Sequence, residues 1–319
     1  MKKTIYLTAY GNKEGQDKGI IRLELDTESG NIKKEGCISL DGKSNMVLEE
    51  ADQLVTSVKG KESSRLEFYM KDGKKTGRVD TDLFYSYAAS LQDRILLASY
   101  ESGVDSVYDR NEKMITKTVR HTRNGFDRPG KSHFIGALKQ GQCVSIENEL
   151  QQIYLYKNPD LEIEKVIDLP DAEKNPKNIR LCSFSKDREK AYINTELTNQ
   201  LIVYDTEEFR LLKEISMTES ENTFSGGNAI SSQGDRLCVS LRGKDSIQVY
   251  SVGQDGMPIP EYEFSCGKTP RDLKLCGEYL LVSCTDADRV EMYKLLDKDV
   301  QKVGKVEVYQ PITFAIEGE

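Results

Sequence analysis

The chain has 319 residues, a formal net charge of −8 and a sequence pI near 5.2. An acidic chain fits poorly with nucleic acid as its main partner, because binding a phosphate backbone calls for basic surface. No run approaches the roughly 18 apolar residues of a membrane span, and the start "MKKTIYLTAYGNKEG" is too polar for a secretory signal. We therefore expect a cytoplasmic protein without a membrane partner.

The first predicted elements are three short strands, "IYLTAY", "GIIRLELD" and "NIKKEGCISL", separated by turn residues such as "LDTESG". Later parts of the chain repeat a unit of four strands, so this first group lacks one strand. The segment "QPITFAIEG" (310–318) at the other end of the chain can supply the fourth. We predict that residues 311–317 pair with residues 4–10 in one sheet. This pairing would join the last repeat unit to the first, close the units into a ring and remove a free sheet edge.

A two-stranded hairpin that ends in a tyrosine recurs along the chain. Clear copies end at Tyr108, Tyr156, Tyr204, Tyr250 and Tyr293, with spacings of 48, 48, 46 and 43 residues, and weaker copies surround Tyr69 and Leu23. Short strands in repeats of this length are typical of propeller blades. The sequence therefore predicts an all-β fold, a seven-bladed β-propeller with four antiparallel strands per blade, as a single domain over 1–319.

The seven cysteines include no CxxC pair, their number is odd, and most fall in predicted strands. This pattern favours buried free thiols in a reducing cytoplasm over disulfides. With two histidines in separate segments and no nucleotide-binding motif, the chain predicts neither a metal site nor a cofactor. We interpret His121, which lies in a basic segment, as a surface residue, and the glycines of "SGGNAI" (225–230) as turn flexibility.

Five polar residues take matching positions within the repeats. Glu196 and Arg242 each lie eight residues before an anchor tyrosine, next to the turn of the hairpin. His133, Arg180 and Arg271 lie 23, 24 and 22 residues before theirs, near the start of an innermost strand. Antiparallel neighbours bring these ends to the same side of a blade. A propeller has a channel through its centre, and we predict that four of these side chains converge at one end of it: His133, Arg180, Glu196 and Arg242.

Several segments resemble motifs of the lactonase family of seven-bladed propellers, whose best-known members are 6-phosphogluconolactonases. They are "KSHFIGAL" (131–138), "NIRLCSFSKDREKAYINTEL" (178–197), "LRGKDSI" (241–247) and "TPRDLKL" (269–275). The family pattern has Pro-Arg-His where this chain has "IRL" (179–181). Thr195 and Leu241 each replace a family Asn, and Glu147 replaces the Asp of an Asp-Leu-Gly motif.

The resemblance implies a central pocket, with His133, Arg180, Glu196 and Arg242 as the catalytic set. It adds Arg271, Glu147 and Thr195 as substrate-binding candidates, while Arg271 could instead form a structural pair with Asp272. Opening a lactone needs a base for water, for which Glu196 is the candidate. His133 is the alternative base, or the acid that protonates the leaving alkoxide.

Arg180 and Arg242 can grip an anionic group and stabilise the oxyanion. The predicted function is hydrolysis of a small anionic substrate, a sugar-acid lactone, without a cofactor. A lyase or cycloisomerase of the muconate-lactonising type and a non-catalytic binding propeller are the alternatives.

Overall fold

Short apolar runs bounded by polar turns become β-strands throughout the chain. The computed structural model describes residues 1–11, 17–170, 174, 176–219 and 223–318, so part of the predicted first turn lies outside the described residues. These residues form 28 strands in seven four-stranded antiparallel sheets, and their helical pieces are two 3-10 turns, Lys139–Gly141 and Thr285–Ala287. The predicted all-β, seven-bladed propeller fold is confirmed.

The chain forms two compact units, which are described separately. Unit 1 contains Met1–Lys43 and Cys182–Glu319, and unit 2 contains Ser44–Leu181. One strand, β16 (Ile179–Phe184), spans the boundary. The expectation of a single domain stays a prediction.

Unit 1 holds blades 1, 6 and 7 and most of blade 5. Blade 1 contains, in sheet order, β28 (Pro311–Ile316), β1 (Lys2–Ala9), β2 (Gly19–Asp26) and β3 (Asn31–Ser39). Blade 5 contains β16, β17 (Lys190–Thr195), β18 (Gln200–Asp205) and β19 (Leu211–Ser216). Blade 6 contains β20 (Ser225–Ile230), β21 (Arg236–Leu241), β22 (Ser246–Val252) and β23 (Pro258–Ser265). Blade 7 contains β24 (Pro270–Cys276), β25 (Tyr279–Cys284), β26 (Arg289–Leu295) and β27 (Val300–Glu307).

Unit 2 holds blades 2, 3 and 4. Blade 2 contains β4 (Val47–Glu49), β5 (Gln53–Lys59), β6 (Ser64–Met70) and β7 (Lys75–Thr81). Blade 3 contains β8 (Tyr87–Leu91), β9 (Arg94–Ser99), β10 (Val104–Asp109) and β11 (Met114–Arg120). Blade 4 contains β12 (Ser132–Ala137), β13 (Cys143–Glu147), β14 (Gln152–Tyr156) and β15 (Ile163–Asp168).

The last strand of the chain completes the first sheet, as predicted. In the antiparallel β28–β1 pair, Ile316 lies opposite Ile5, and Pro311 lies opposite Ala9. Apolar side chains of both strands join the core between blades 1 and 7, where Phe314 packs near Met292 in one buried cluster. Pairing the two ends of the chain therefore removes the free edge that β1 would otherwise present.

One turn conformation recurs between the second and third strands of the blades. The residue five positions before the anchor tyrosine has a positive φ, between 48° and 58°, at Gly103, Gln151, Asn199, Asp245 and Asp288. Asn and Asp tolerate this left-handed conformation better than most residues that have a Cβ. Because the turn repeats, the residue that follows each second strand takes an equivalent place in its blade. Glu196 and Arg242 are two of these residues.

Candidate active site

The turn after β17 holds Glu196 in a fixed place. The Gln200 N–H donates to Thr195 Oγ1 at 2.8 Å, and the Asn199 side-chain amide donates to the Thr223 carbonyl at 2.7 Å. Thr195 itself is fully buried. Its hydroxyl closes the turn, which favours a structural role over the substrate contact that we expected.

Arg242 reaches Glu196 from the neighbouring blade. The Arg242 backbone N–H donates to the Phe224 carbonyl at 2.8 Å, and its Nε donates to the Ser225 carbonyl at 3.2 Å. Its Nη2 donates to Glu196 Oε1. The side chains of Arg242 and Glu196 are 17% and 13% exposed, so the pair is enclosed on most sides but still reaches solvent. The structure thus brings together two residues that share one offset in the repeat.

Two glycines of blade 6 allow the close approach of β24, and one of them also contacts Arg242. A Cβ atom on Gly226 would lie 2.5 Å from the Pro270 carbonyl oxygen and from Ser240 Oγ, and 3.1 Å from Arg242 Cγ. A Cβ atom on Gly227 would lie 2.9 Å from the Asp272 Cα. Both glycines lie inside strand β20, where the backbone of β24 approaches closely. The interpretation of this segment as turn flexibility was therefore wrong.

Arg271 is the second residue of β24, as its offset predicted. The register of β24 shifts between Pro270 and Asp272, which places Arg271 in a bulge of the strand. Bulges redirect side chains and are common next to functional sites. The neighbouring Asp272 carboxylate accepts a hydrogen bond from the Phe314 N–H at 2.8 Å. Asp272 thus holds the ring-closing strand β28.

In unit 2, His133 lies at the corresponding bulge of β12, between Ser132 and Phe134. Its ring meets that of Tyr100 edge to face, with centroids 5.1 Å apart. The Lys131 ammonium lies 5.6 Å from the centroid of Tyr100. Sequence reasoning missed Tyr100, although it lies eight residues before Tyr108 and so shares the offset of Glu196 and Arg242.

Arg180 is the second residue of β16 and is 6% exposed. The start of this strand is held by blade 4, where the Asn148 side-chain amide donates to the Ile179 carbonyl at 2.9 Å. Asn148 follows β13 and is another residue with the offset of eight. The predicted positions of His133 and Arg180 near the starts of their strands are confirmed. Their convergence with Glu196 and Arg242 stays a prediction.

Glu147 is buried at the end of β13. Its two carboxylate oxygens accept hydrogen bonds from the backbone N–H groups of Lys131 and Leu150. Burial raises the pKa of this carboxyl above its usual value, and the two backbone amides act in the opposite direction. These contacts favour a structural role for Glu147, in place of the expected contact with substrate.

His121 was wrongly assigned to the surface. It is 2% exposed, and its Nε2 lies 3.0 Å from Asp105 Oδ2 and 3.1 Å from the Tyr156 hydroxyl. Its ring stacks on Tyr154 at 3.9 Å between centroids. Burial, reinforced by the Asp105 carboxylate, raises the pKa of Tyr156 well above its usual value. This polar cluster lies between blades 3 and 4, away from solvent.

The described residues contain no group of three or more His, Cys, Asp or Glu that could hold a metal ion. None of their helical segments is long and apolar enough to cross a membrane. A cavity of about 520 Å³ lies beside Arg236 and Leu275. Arg236 begins β21 whereas Arg242 follows its end, so this cavity is at the opposite end of the strand from the Glu196–Arg242 pair.

Comparisons with known proteins agree with this architecture. An uncharacterized protein of Staphylococcus epidermidis, SERP1457, is 23% identical and aligns over 98% of this chain and 97% of its own length. The crystal structure of a "putative 6-phosphogluconolactonase" from Bacteroides uniformis has a TM-score of 0.86 at 18% identity, and 99% of each chain is covered.

The periplasmic gluconolactonase PpgL of Pseudomonas aeruginosa has a TM-score of 0.84 at 18% identity, again over 99% of each chain. At these identities the structural likeness establishes the fold alone. The family model described as "Lactonase, 7-bladed beta-propeller" matches residues 4–313, nearly the whole chain. The chain therefore belongs to the lactonase family of seven-bladed β-propellers.

Proposed function

We propose that this protein is a hydrolase that opens a sugar-acid lactone similar to 6-phosphogluconolactone. The observation that carries the proposal is the Glu196–Arg242 contact, which places a carboxylate and a guanidinium together beside two solvent-facing turns. Membership of the lactonase family supports the reaction class. The similar structures named as a "putative 6-phosphogluconolactonase" and a periplasmic gluconolactonase support the substrate class.

In the proposed reaction, Glu196 accepts a proton from a water molecule while the water oxygen attacks the lactone carbonyl carbon. The carbonyl oxygen takes the negative charge, and a guanidinium with its charge already in place lowers the energy of this oxyanion. Collapse of the intermediate breaks the bond between the acyl carbon and the ring oxygen. The departing alkoxide takes the proton that Glu196 accepted from water, and the product is a hydroxy acid.

The arginines indicate which charge the substrate is expected to carry. Arg242 and Arg271 of unit 1 each offer a planar fork of N–H donors that suits a carboxylate or phosphate group. Within an otherwise acidic protein, such residues make a local positive potential that attracts anions. We therefore propose that the substrate is a small anion.

The test is proton release during hydrolysis of a panel containing δ-gluconolactone, 6-phosphogluconolactone and a carboxy-substituted γ-lactone. Glu196→Gln is expected to lower kcat/KM by about 10²- to 10⁴-fold, the range for loss of a general base. Glu207→Gln, which changes an exposed glutamate of the same blade, is the matched control and should retain full activity. Activity on none of these lactones, or full activity in Glu196→Gln, would refute the proposal.

We also propose a cytoplasmic location. The seven cysteines are free thiols, and five of them are buried, which suits a reducing compartment. Fractionation of the native host, with the protein followed by immunoblotting, tests the location. Recovery with the extracytoplasmic fraction would contradict it.

A further inference from the structure

Phe224 is an exposed aromatic side chain held rigidly beside the Glu196–Arg242 pair. It lies between two buried residues, Thr223 at 3% exposure and Ser225 at 0%, yet is itself 44% exposed. Leaving a phenyl ring in water forgoes the stabilisation that its burial would bring. A flexible surface residue would need no explanation, but this one is fixed in place.

Two hydrogen bonds fix the backbone on either side of Phe224 to blade 5. The Asn199 side-chain amide donates to the Thr223 carbonyl at 2.7 Å, and Ser225 Oγ donates to the Thr195 carbonyl at 2.7 Å. Thr195 immediately precedes Glu196, so both bonds reach the turn that presents the candidate base. Phe224 and Glu196 are thereby held in one rigid arrangement.

Arg242 uses Phe224 as a support. The centre of its guanidinium lies 5.3 Å from the centroid of the Phe224 ring, within the distance for a cation–π contact. The same guanidinium donates to the Ser225 carbonyl and to Glu196. The remainder of the ring is exposed directly beside the charged pair. Leu197, the residue after Glu196, is also 53% exposed and adds a second apolar side chain near this position.

We propose that Phe224 is a substrate-binding residue that sets specificity, by stacking against the C–H face of a saturated lactone ring while Arg242 contacts the anionic group. The proposal rests on the proposed lactonase function and narrows it. The preferred substrates are cyclic compounds that carry both an anionic group and an apolar ring face. Open-chain acids of the same charge bind less tightly, because they cannot stack on the ring.

The kinetic test compares Phe224→Ala and Phe224→Tyr with the unchanged protein on its best lactone substrate. Phe224→Ala is expected to raise KM about tenfold and to change kcat less than threefold, because stacking holds ground state and transition state alike. Phe224→Tyr keeps the ring and should restore KM to within about twofold. Leu211→Ala, which removes a side chain 47% exposed on outer strand β19, is the matched control and should leave KM unchanged.

A binding test separates this inference from the proposed function. Calorimetry with 6-phosphogluconolactam, a cyclic anion that is not hydrolysed as an ester, and with inorganic phosphate needs no turnover. Phe224→Ala should weaken binding of the lactam about tenfold and binding of phosphate less than threefold, because the Ser225 carbonyl and Glu196 still hold the Arg242 guanidinium. If the protein is active but Phe224→Ala changes neither KM nor the affinity for the lactam, Phe224 does not bind the substrate. The lactonase proposal would still stand. A protein that neither hydrolyses a lactone nor binds the lactam overturns both.

Discussion

Two glutamates of unit 1, Glu291 and Glu196, each meet an arginine, but their surroundings differ. Glu291 is fully buried in blade 7 and accepts hydrogen bonds from Arg289, Tyr293 and Lys302 and from the backbone N–H of Gly267. Glu196 meets Arg242 beside two turns, and both side chains still reach solvent. The two carboxylates thus differ: that of Glu291 is fully buried, although Arg289 and Lys302 are 34% and 44% exposed, whereas that of Glu196 is 13% exposed between two blades.

The origin of each pair distinguishes their roles. Arg289 and Glu291 are neighbours on one strand, and blade 2 repeats the arrangement with Arg65 and Glu67. Glu196 and Arg242 are 46 residues apart and come from equivalent places in two blades. A pair formed within a repeat unit stabilises that unit. A pair formed between two blades at the turns reaches solvent, and in the proposed function it contacts the substrate.

The largest expected effect on stability comes from Glu291→Gln. This change leaves Arg289 and Lys302 without their anion, and breaking such a pair costs about 2 to 3 kcal/mol once the partial exposure of both cations is allowed for. Urea unfolding measures the loss, and kcat/KM of the folded protein should stay within twofold. Glu261→Gln, on exposed outer strand β23, is the control. A loss no greater than that of the control would remove the distinction between the two glutamates.

Gly226→Ala tests how the accessible pair is positioned. The new methyl group would meet the Pro270 carbonyl, Ser240 Oγ and Arg242 Cγ, so we expect a loss of about 1 to 3 kcal/mol in the free energy of unfolding. Because Arg242 must shift, kcat/KM should fall as well. Gly36→Ala is the matched control, since a Cβ atom at Gly36 meets nothing within 4 Å. Equal behaviour of the two variants in unfolding and kinetics would contradict the close approach of β20 to β24.

Replacing arginine by lysine probes the geometry of each pair. Arg242→Lys keeps the charge but loses the planar fork, and should weaken substrate binding by about 1 to 3 kcal/mol. Arg289→Lys should leave kcat/KM unchanged, because Glu291 keeps Tyr293, Lys302 and Gly267 as donors. The measurement is kcat/KM for the preferred lactone and for a neutral analogue without the anionic group. If Arg242→Lys leaves kcat/KM unchanged and the neutral lactone is hydrolysed as well as the charged one, the arginine does not bind an anion.

The same Glu291 carboxylate also gives a pH dependence of stability. Burial alone would raise the pKa of Glu291, but Lys302, Tyr293 and Arg289 hold it at about 2, below the ordinary value of 4.5. A carboxylate with a lowered folded-state pKa stabilises the protein above pH 4.5, and this contribution is lost as the pH falls towards 2. The Tm difference between wild type and Glu291→Gln should therefore narrow over that interval. A constant difference from pH 6 to pH 2.5 would contradict this account.

The sequence predicted the blades well because each hairpin is a local feature. The anchor tyrosines Tyr108, Tyr156, Tyr204, Tyr250 and Tyr293 all lie in the third strands of their sheets. The offset of eight residues then located Glu196 and Arg242 at equivalent turns. Applied to every copy of the hairpin, the same rule would also have located Tyr100.

Features that depend on packing between blades were not predictable in this way. His121 is buried because Asp105, Tyr154 and Tyr156 surround it, and nothing in its own basic segment indicates those contacts. The glycines at 226 and 227 are required by the backbone of another blade. Glu147 differs from these residues, because the amides of Lys131 and Leu150 that donate to its carboxylate belong to its own blade.

The strand that completes blade 1 also has a consequence for biosynthesis. The bond from the Thr313 N–H to Thr8 Oγ1, 3.3 Å long, joins residues 305 positions apart. A ribosome that adds 5 to 20 residues per second needs roughly 15 to 60 s to make the intervening chain. During that interval β1, although among the first strands synthesised, lacks its partner β28. A nascent chain of this protein therefore displays an unpaired strand edge from the time β1 emerges until β28 has been made, and over that interval it is open to chaperones and to aggregation.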